Sequence, residues 1–363
     1  MKHIAIFTWH NNGDCNCGQT LQAYALQKKI NMLDCDTLII DYKYLGRSLY
    51  NNIILYGVHR IYYGLKSHTF IRMYRFDRFV KKNMNISKRL YSYKEICKYL
   101  RKNNIRNYLV GSDQVWNNQA GVIPKAMMLD FTDGIKCSYS PSMCPEKDFD
   151  KYKNDLLHVA KTINEYRHVG VREESAKRML KRAGITKEIK VVLDPVFLFS
   201  NDDWVKLLRI RNRKESYLLV YCVGIVTENI KEAVSKIKNV KDTYVIASGT
   251  KNVVPKNWKM IVNVDPKKFI ELIANADYIV TDSYHMIAFS VIFRKQFSAF
   301  SCVRNDFEPN KDRIVELLGS IGLLSRLDNV QSIEKKIEYN EETIKARVDE
   351  SKKYLSEIIS DYC

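Results

Sequence analysis

Ala276-Asp277-Tyr278-Ile279-Val280-Thr281-Asp282-Ser283-Tyr284-His285 runs into the apolar stretch Ala288-Phe289-Ser290-Val291-Ile292-Phe293 and then Lys295-Gln296-Phe297. A short apolar run that ends in hydroxyl and acidic residues and gives way to helical spacing reads as a buried parallel strand, a polar turn and a helix packed back on the sheet. Open α/β sheets place their ligands at such turns. His285 falls in the first helical turn, where unpaired backbone N–H groups and the helix dipole favour an anion. Taken alone, it reads as a hydrogen-bonded histidine beside a core; three further segments of the same design favour the ligand reading.

The first is Asn11-Asn12-Gly13-Asp14-Cys15-Asn16-Cys17-Gly18-Gln19, which leaves the strand at 3–9 and enters a helix at 19–30. Its glycines and amides suit a tight turn that brings backbone N–H groups toward a ligand. It is neither a P-loop nor a complete dinucleotide fingerprint. The second, Tyr108-Leu109-Val110-Gly111-Ser112-Asp113-Gln114-Val115-Trp116-Asn117, ends a strand in donors, acceptors and one carboxylate, with Trp116 placed to stack on a sugar. The third, His168-Val169-Gly170-Val171-Arg172-Glu173-Glu174-Ser175, offers the forked guanidinium of Arg172 to a carboxylate or phosphate, or else a plain Arg–Glu ion pair.

Strands and helices alternate along the rest of the chain, which predicts an α/β protein of two Rossmann-like domains facing a cleft. The first is expected over 1–200, with a helical insertion at about 43–104. Pro195 marks an exit toward a linker near 200–204. The second is expected over 201–363 and ends in a long charged helix at about 331–360. A length of 363 residues suits two such cores. Met1–Trp9 is too short for a signal-peptide core and no apolar stretch reaches bilayer-spanning length, so a cytoplasmic protein is expected. Nine scattered cysteines suit reduced thiols, and Cys15 with Cys17 lacks the second ligand pair that zinc needs, so no metal is expected.

The formal net charge is +18, from 59 basic and 41 acidic residues, which points to an anionic substrate, membrane surface or nucleic acid. From Tyr42 to Phe76 there is no acid, while Lys43, Arg47, Arg60, Lys66, Arg72 and Arg75 are interleaved with aromatic and aliphatic residues. Such a stretch suits a peripheral position on an anionic membrane, or an insertion packed on its own domain. No nucleic-acid-binding module accompanies it, so nucleic acid is not an expected partner.

These segments resemble the polysaccharide pyruvyl transferase family over most of the chain, from Asn11 to about Phe297. The landmarks are the Asn-Gly-Asp turn with Leu21-Gln22-Ala23-Tyr24-Ala25-Leu26, Gly111-Ser112-Asp113-Gln114-Val115-Trp116-Asn117, Ser138-Tyr139 before Ser142, Val171-Arg172-Glu173 with Ser175, Leu193-Asp194-Pro195, and Thr281-Asp282-Ser283-Tyr284-His285 leading to Phe289-Ser290. The resemblance implies a GT-B-like fold and transfer of a pyruvyl unit from phosphoenolpyruvate to a sugar, commonly as a cyclic ketal, with phosphoenolpyruvate as co-substrate and no other cofactor. It matches Arg172 and His285 to the donor-binding arginine and histidine. Met286 stands where members usually carry glycine, and Ser283 where many carry arginine.

The expected donor site is therefore Arg172, Asp282, Ser283 and His285, and the expected acceptor site is Asn12, Gly13, Asp14, Gln19, Ser112, Gln114, Trp116 and Ser142. Ketal formation requires protonation of the methylene carbon, positive charge at the adjacent carbon, attack by sugar hydroxyls and departure of phosphate. His285 is placed to donate to phosphate or act as acid, while Asp113, Asp14 or Asp282 accepts the sugar proton, Asp113 being preferred. Catalysis is thus assigned to His285, Asp113 and Arg172, acting on a surface polysaccharide or a lipid-linked oligosaccharide at the inner membrane face. A GT-B glycosyltransferase using a nucleotide sugar, or a non-catalytic sugar- or anion-binding relative, is the alternative.

Overall fold

The computed structural model describes residues 3–11, 15–43, 69–119, 123–212, 215–238, 240–246, 254–304 and 311–362. Most of the basic stretch, at 44–68, and the turn residues Asn12, Gly13 and Asp14 lie outside them. The chain forms two compact units, 1–198 with 347–363, and 199–346.

In the first unit the order is β1 (His3–Phe7), α1 (Cys17–Asn31), β2 (Asp36–Ile39), α2 (Thr69–Asn83), α3 (Tyr93–Lys102), β3 (Asn107–Val110), β4 (Asp113–Trp116), β5 (Ile135–Ser138), β6 (Pro141–Met143), α4 (Lys153–Ile163), β7 (His168–Val171), α5 (Glu174–Arg182) and β8 (Lys190–Val191). Six strands make a parallel sheet in the order β2-β1-β3-β5-β7-β8, and β4 pairs with β6 beside it. Ile4, Ala5, Ile6 and Phe7 are buried on both faces of β1, as expected where helices cover a parallel sheet on either side. Register places Phe7 beside Val110 and Val110 beside Ser138, so the segments after β1, β3 and β5 leave the sheet at one carboxyl edge.

The second unit contains α6 (Asn201–Leu208), β9 (Tyr217–Tyr221), α7 (Glu228–Lys236), β10 (Asp242–Ile246), β11 (Lys259–Ile261), α8 (Pro266–Asn275), β12 (Tyr278–Thr281), α9 (Tyr284–Ile292), β13 (Gln296–Ala299) and α10 (Asp312–Ser320). Its parallel sheet has the order β11-β10-β9-β12-β13. The segment from Tyr278 to Ile292 is β12, its turn and α9. Ser200–Trp204, expected as a linker, is instead the capped start of α6. Ser200 Oγ accepts from Asp203 N–H at 3.2 Å and the Asp203 carboxylate accepts from Ser200 N–H at 2.9 Å, a capping box that nucleates the helix.

The last helix, α11, spans Glu341–Tyr362 rather than 331–360, because residues 330–334 form a separate 3₁₀ turn. From Arg347 onward it belongs with the first unit. There the Tyr354 hydroxyl donates to Ser138 O at 3.0 Å and the Tyr362 hydroxyl to Tyr108 O at 2.6 Å. A hydroxyl buried by an aromatic ring needs such a partner, and these two fix the helix on β3 and β5. Among the described residues Cys15, Cys17, Cys97, Cys137, Cys144, Cys222 and Cys302 are free thiols.

Candidate functional site

In the first sheet the chain passes from β1 outward to β2 and then returns to β3 on the other side of β1, so the ends of β1 and β3 flank a topological switch point. Thr8 Oγ bridges them by donating to Ser112 O at 3.1 Å. Gln22, on α1, donates through Nε2 to Thr8 Oγ, Trp9 O and Gln19 O at 2.9, 2.7 and 2.9 Å. Gly111 makes the turn out of β3 with φ of +110°, and a Cβ there would lie 2.2 Å from Tyr139 O, so only glycine fits.

That turn delivers Ser112 and Asp113 to Arg172, which follows β7. Arg172 Nη2 donates to Ser112 Oγ at 2.6 Å and to Asp194 Oδ2 at 2.8 Å, with Asp113 Oδ1 at 4.0 Å. The side chains of Arg172 and Asp194 are 2% and 0% exposed. A guanidinium and a carboxylate removed from water to that degree are tolerable only as a pair. Ser112 Oγ in turn donates to Ser140 O at 2.9 Å, and Asp194 Oδ1 accepts from Val196 N–H at 3.1 Å. Arg172, Ser112, Asp113 and Asp194 thus form one buried cluster.

Other expected acceptor residues have different surroundings. Ser142 Oγ donates to Glu173 Oε1 at 2.5 Å, and the same oxygen accepts from Met143 N–H. Gln114 is half-buried; its main-chain oxygen accepts from Trp9 Nε1 at 3.4 Å and its side-chain oxygen from Asn117 at 2.7 Å. Gln19 is half-buried in the first turn of α1, where its N–H donates to the Asn16 cap. Trp116 corrects the sequence reading. Its ring is 0% exposed, lies edge-on to Tyr166 and donates through Nε1 to Met127 O at 3.0 Å. An indole with both faces in the core offers no platform to a sugar.

In the second unit the switch point lies between β9 and β12, and Asp282 spans it. Its carboxylate accepts from Val223 N–H at 2.6 Å and Gly224 N–H at 2.8 Å. Burial pushes the Asp282 carboxyl above its usual range, opposed by those two amides and by the Cys302 thiol. The Cys302 thiol is itself pushed up to about 12 by burial and by Asp282. Gly224 is required here too, since a Cβ would lie 2.3 Å from Val303 O. Ser283 caps α9 by accepting from Met286 N–H at 3.5 Å, and His285 sits in the first turn, 8% exposed and edge-on to the Tyr284 ring. Met286, in place of the usual glycine, is wholly buried.

Several residues of these strand ends were not among the expected site residues. Thr8 and Gln22 lie in a landmark or beside it, and Asp194 precedes the proline that signalled a strand exit. His10 is a fourth: its Nε2 is 3.5 Å from Asp41 Oδ1, and Arg89 Nε donates to the other Asp41 oxygen at 3.1 Å. Burial pulls the His10 pKa below the ordinary histidine range, and Asp41 opposes the shift. Its position three residues beyond β1 was the available signal. Among the described residues no group of three or more His, Cys, Asp or Glu is arranged to hold a metal ion.

The sequence profile of the family described as polysaccharide pyruvyl transferase matches residues 16–302. The chain belongs to the polysaccharide pyruvyl transferase family. The match takes in every described candidate from Gln19 to His285, and it makes the protein a transferase of polysaccharide biosynthesis. No curated protein matches the sequence. Among solved structures, this pyruvyl transferase is similar to UDP-GlcNAc 2-epimerase from Neisseria meningitidis bound to UDP-GlcNAc, with a TM-score of 0.58 at 10% identity over 99% of this chain and 100% of that one. UDP-GlcNAc 2-epimerase from Methanocaldococcus jannaschii in complex with UDP-GlcNAc and UDP gives 0.54 at 16% identity over 99% and 100%. Arabidopsis thaliana UGT89C1 complexed with quercetin gives 0.53 at 11% identity over 99% of both chains. At these identities the likeness is one of fold, and the pyruvyl transferase is GT-B-like.

Proposed function

We propose that this family member moves a pyruvyl group from phosphoenolpyruvate to a sugar of a surface polysaccharide or lipid-linked oligosaccharide, forming a cyclic ketal and releasing phosphate. The observation that carries the reading is the end of β12, where the strand runs straight into the capped N-terminus of α9 with His285 in its first turn. Backbone N–H groups and the helix dipole at that N-terminus, with an imidazole in the same turn, are the groups an anionic donor requires. In the first unit Arg172 supplies a permanent cation, oriented by Asp194 and Ser112.

Each step has a residue of suitable chemistry. A proton adds to the methylene carbon of phosphoenolpyruvate, the adjacent carbon becomes electrophilic, one sugar hydroxyl attacks it, and a second hydroxyl then displaces phosphate. His285 donates to the phosphate or supplies the proton, and Asp113 accepts a hydroxyl proton. Asp282 is better suited to holding the β9 and β12 ends together than to proton transfer, because both its oxygens accept backbone N–H groups. A lipid-linked acceptor would bring the protein peripherally to the inner membrane face.

Purified protein incubated with phosphoenolpyruvate and candidate sugars tests the reaction. Phosphate release accompanied by a pyruvate-sized mass gain on the sugar supports the proposal. Glycosyl transfer from a nucleotide sugar, with no use of phosphoenolpyruvate, replaces it.

A further inference from the structure

Helix α2 has two sharply different sides. Met73, Phe76, Phe79 and Val80 are buried and repeat at helical spacing, with the Phe79 ring edge-on to Tyr24 of α1 at 5.8 Å. Arg72 Nη2 donates to Cys15 O at 3.0 Å, and Asp77, the one acid of the helix, accepts from Asn11 at 3.2 Å. These contacts fasten α2 to the first unit and occupy its only negative charge.

The opposite side is exposed along the whole helix. Phe70, Ile71 and Tyr74 are 44%, 50% and 66% exposed, and Arg75, Arg78, Lys81 and Lys82 continue the same face at steps of three and four residues. Arg78, Lys81 and Lys82 form no ion pair or hydrogen bond among the described residues. Large apolar groups clustered on one helix side are costly to leave in water, and together with the cations beside them they are complementary to a surface that is apolar just below a layer of negative charge.

We propose that this face of α2 docks on an anionic phospholipid bilayer. Phe70, Ile71 and Tyr74 enter the headgroup boundary, and Arg78, Lys81 and Lys82 lie against lipid phosphates, their aliphatic stems along the interface. Charge complementarity favours this occupant over a second copy of the chain, which would bring three like charges against three. No helix among the described residues is long and apolar enough to cross a membrane, so the contact is a surface one. The inference goes beyond the proposed reaction and does not depend on it.

Co-sedimentation of the full chain with vesicles tests it, using phosphatidylcholine alone and equal parts phosphatidylcholine and phosphatidylglycerol. The expected result is binding to the anionic vesicles only, weakened by salt. Arg78→Gln with Lys81→Gln and Lys82→Gln should lower the partition coefficient by about 100-fold. Phe70→Ser with Tyr74→Ser should lower it with the salt dependence kept. Both sets replace exposed side chains, and an unchanged melting temperature confirms that the fold is intact. Failure to bind anionic vesicles, or binding indifferent to both sets, overturns the proposal. So does a shift in oligomeric mass abolished by Phe70→Ser and Tyr74→Ser, or binding of single-stranded nucleic acid in preference to lipid. Pyruvyl transfer to a soluble sugar should be unchanged in both sets, so loss of docking is separable from loss of the reaction.

Discussion

Arg172 and Asp194 meet at 2.8 Å with almost no exposure to solvent, although 22 residues separate them in the chain. Asp194 therefore positions the guanidinium that the proposed reaction uses. Removing one member leaves the other as an uncompensated buried charge, so Asp194→Ala should cost about 3–5 kcal/mol in a urea-denaturation measurement. A double change to Arg172→Met and Asp194→Leu should recover much of that loss. A single change that costs nothing would show that the pair does not anchor the cluster.

Trp116 provides a direct comparison between core and sugar platform. As a core residue it should cost about 3–5 kcal/mol on Trp116→Ala. Trp116→Phe should keep the acceptor KM while lowering the melting temperature. A raised acceptor KM with unchanged stability would restore the platform.

Trp116 shows which features the local sequence carries and which it does not. β12 and α9 were legible because burial, the Ser283 cap and the change of period all lie within the same short segment. The indole's partners, Met127 O and the Tyr166 ring, come from a 3₁₀ turn at 125–128 and from the loop between α4 and β7, and nothing in the residues beside Trp116 announces them. The same holds for Asp194, legible as a strand exit but not as the partner of Arg172, and for α11, whose Tyr354 and Tyr362 bond to strands more than 200 residues earlier. Asp282 looked like a ligand because it ends a strand. Its two backbone donors come from the end of a different strand, β9.

Asp113 lies in the Arg172 cluster at a φ of +66°, and it is the carboxylate assigned to accept the sugar proton. Asp113→Asn should lower turnover by roughly 10²- to 10⁴-fold, the range for a lost general base, while the melting temperature changes little. Unchanged turnover would remove it from that role.

His10 links stability to pH. Its folded pKa lies below the ordinary value of 6.5 because burial disfavours the imidazolium, with Asp41 acting against the shift and Arg89 and Lys43 adding to it. As pH falls through about 6.5 the unfolded chain takes up a proton that the folded chain resists, so unfolding is favoured in that window and not above it. The urea midpoint of the wild type should drop between about pH 8 and about pH 5.5 by more than that of His10→Gln. Equal drops would place the titrating group elsewhere.

The donor is decided by thermal stability in the presence of ligand. At a hundredfold excess over its dissociation constant, phosphoenolpyruvate should stabilise the folded protein by about 2.7 kcal/mol. Relative to each variant's own unliganded melting temperature, Arg172→Ala and His285→Ala should each lose most of that gain. A shift produced by UDP-GlcNAc and not by phosphoenolpyruvate, in the wild type, would contradict the assignment of phosphoenolpyruvate as donor.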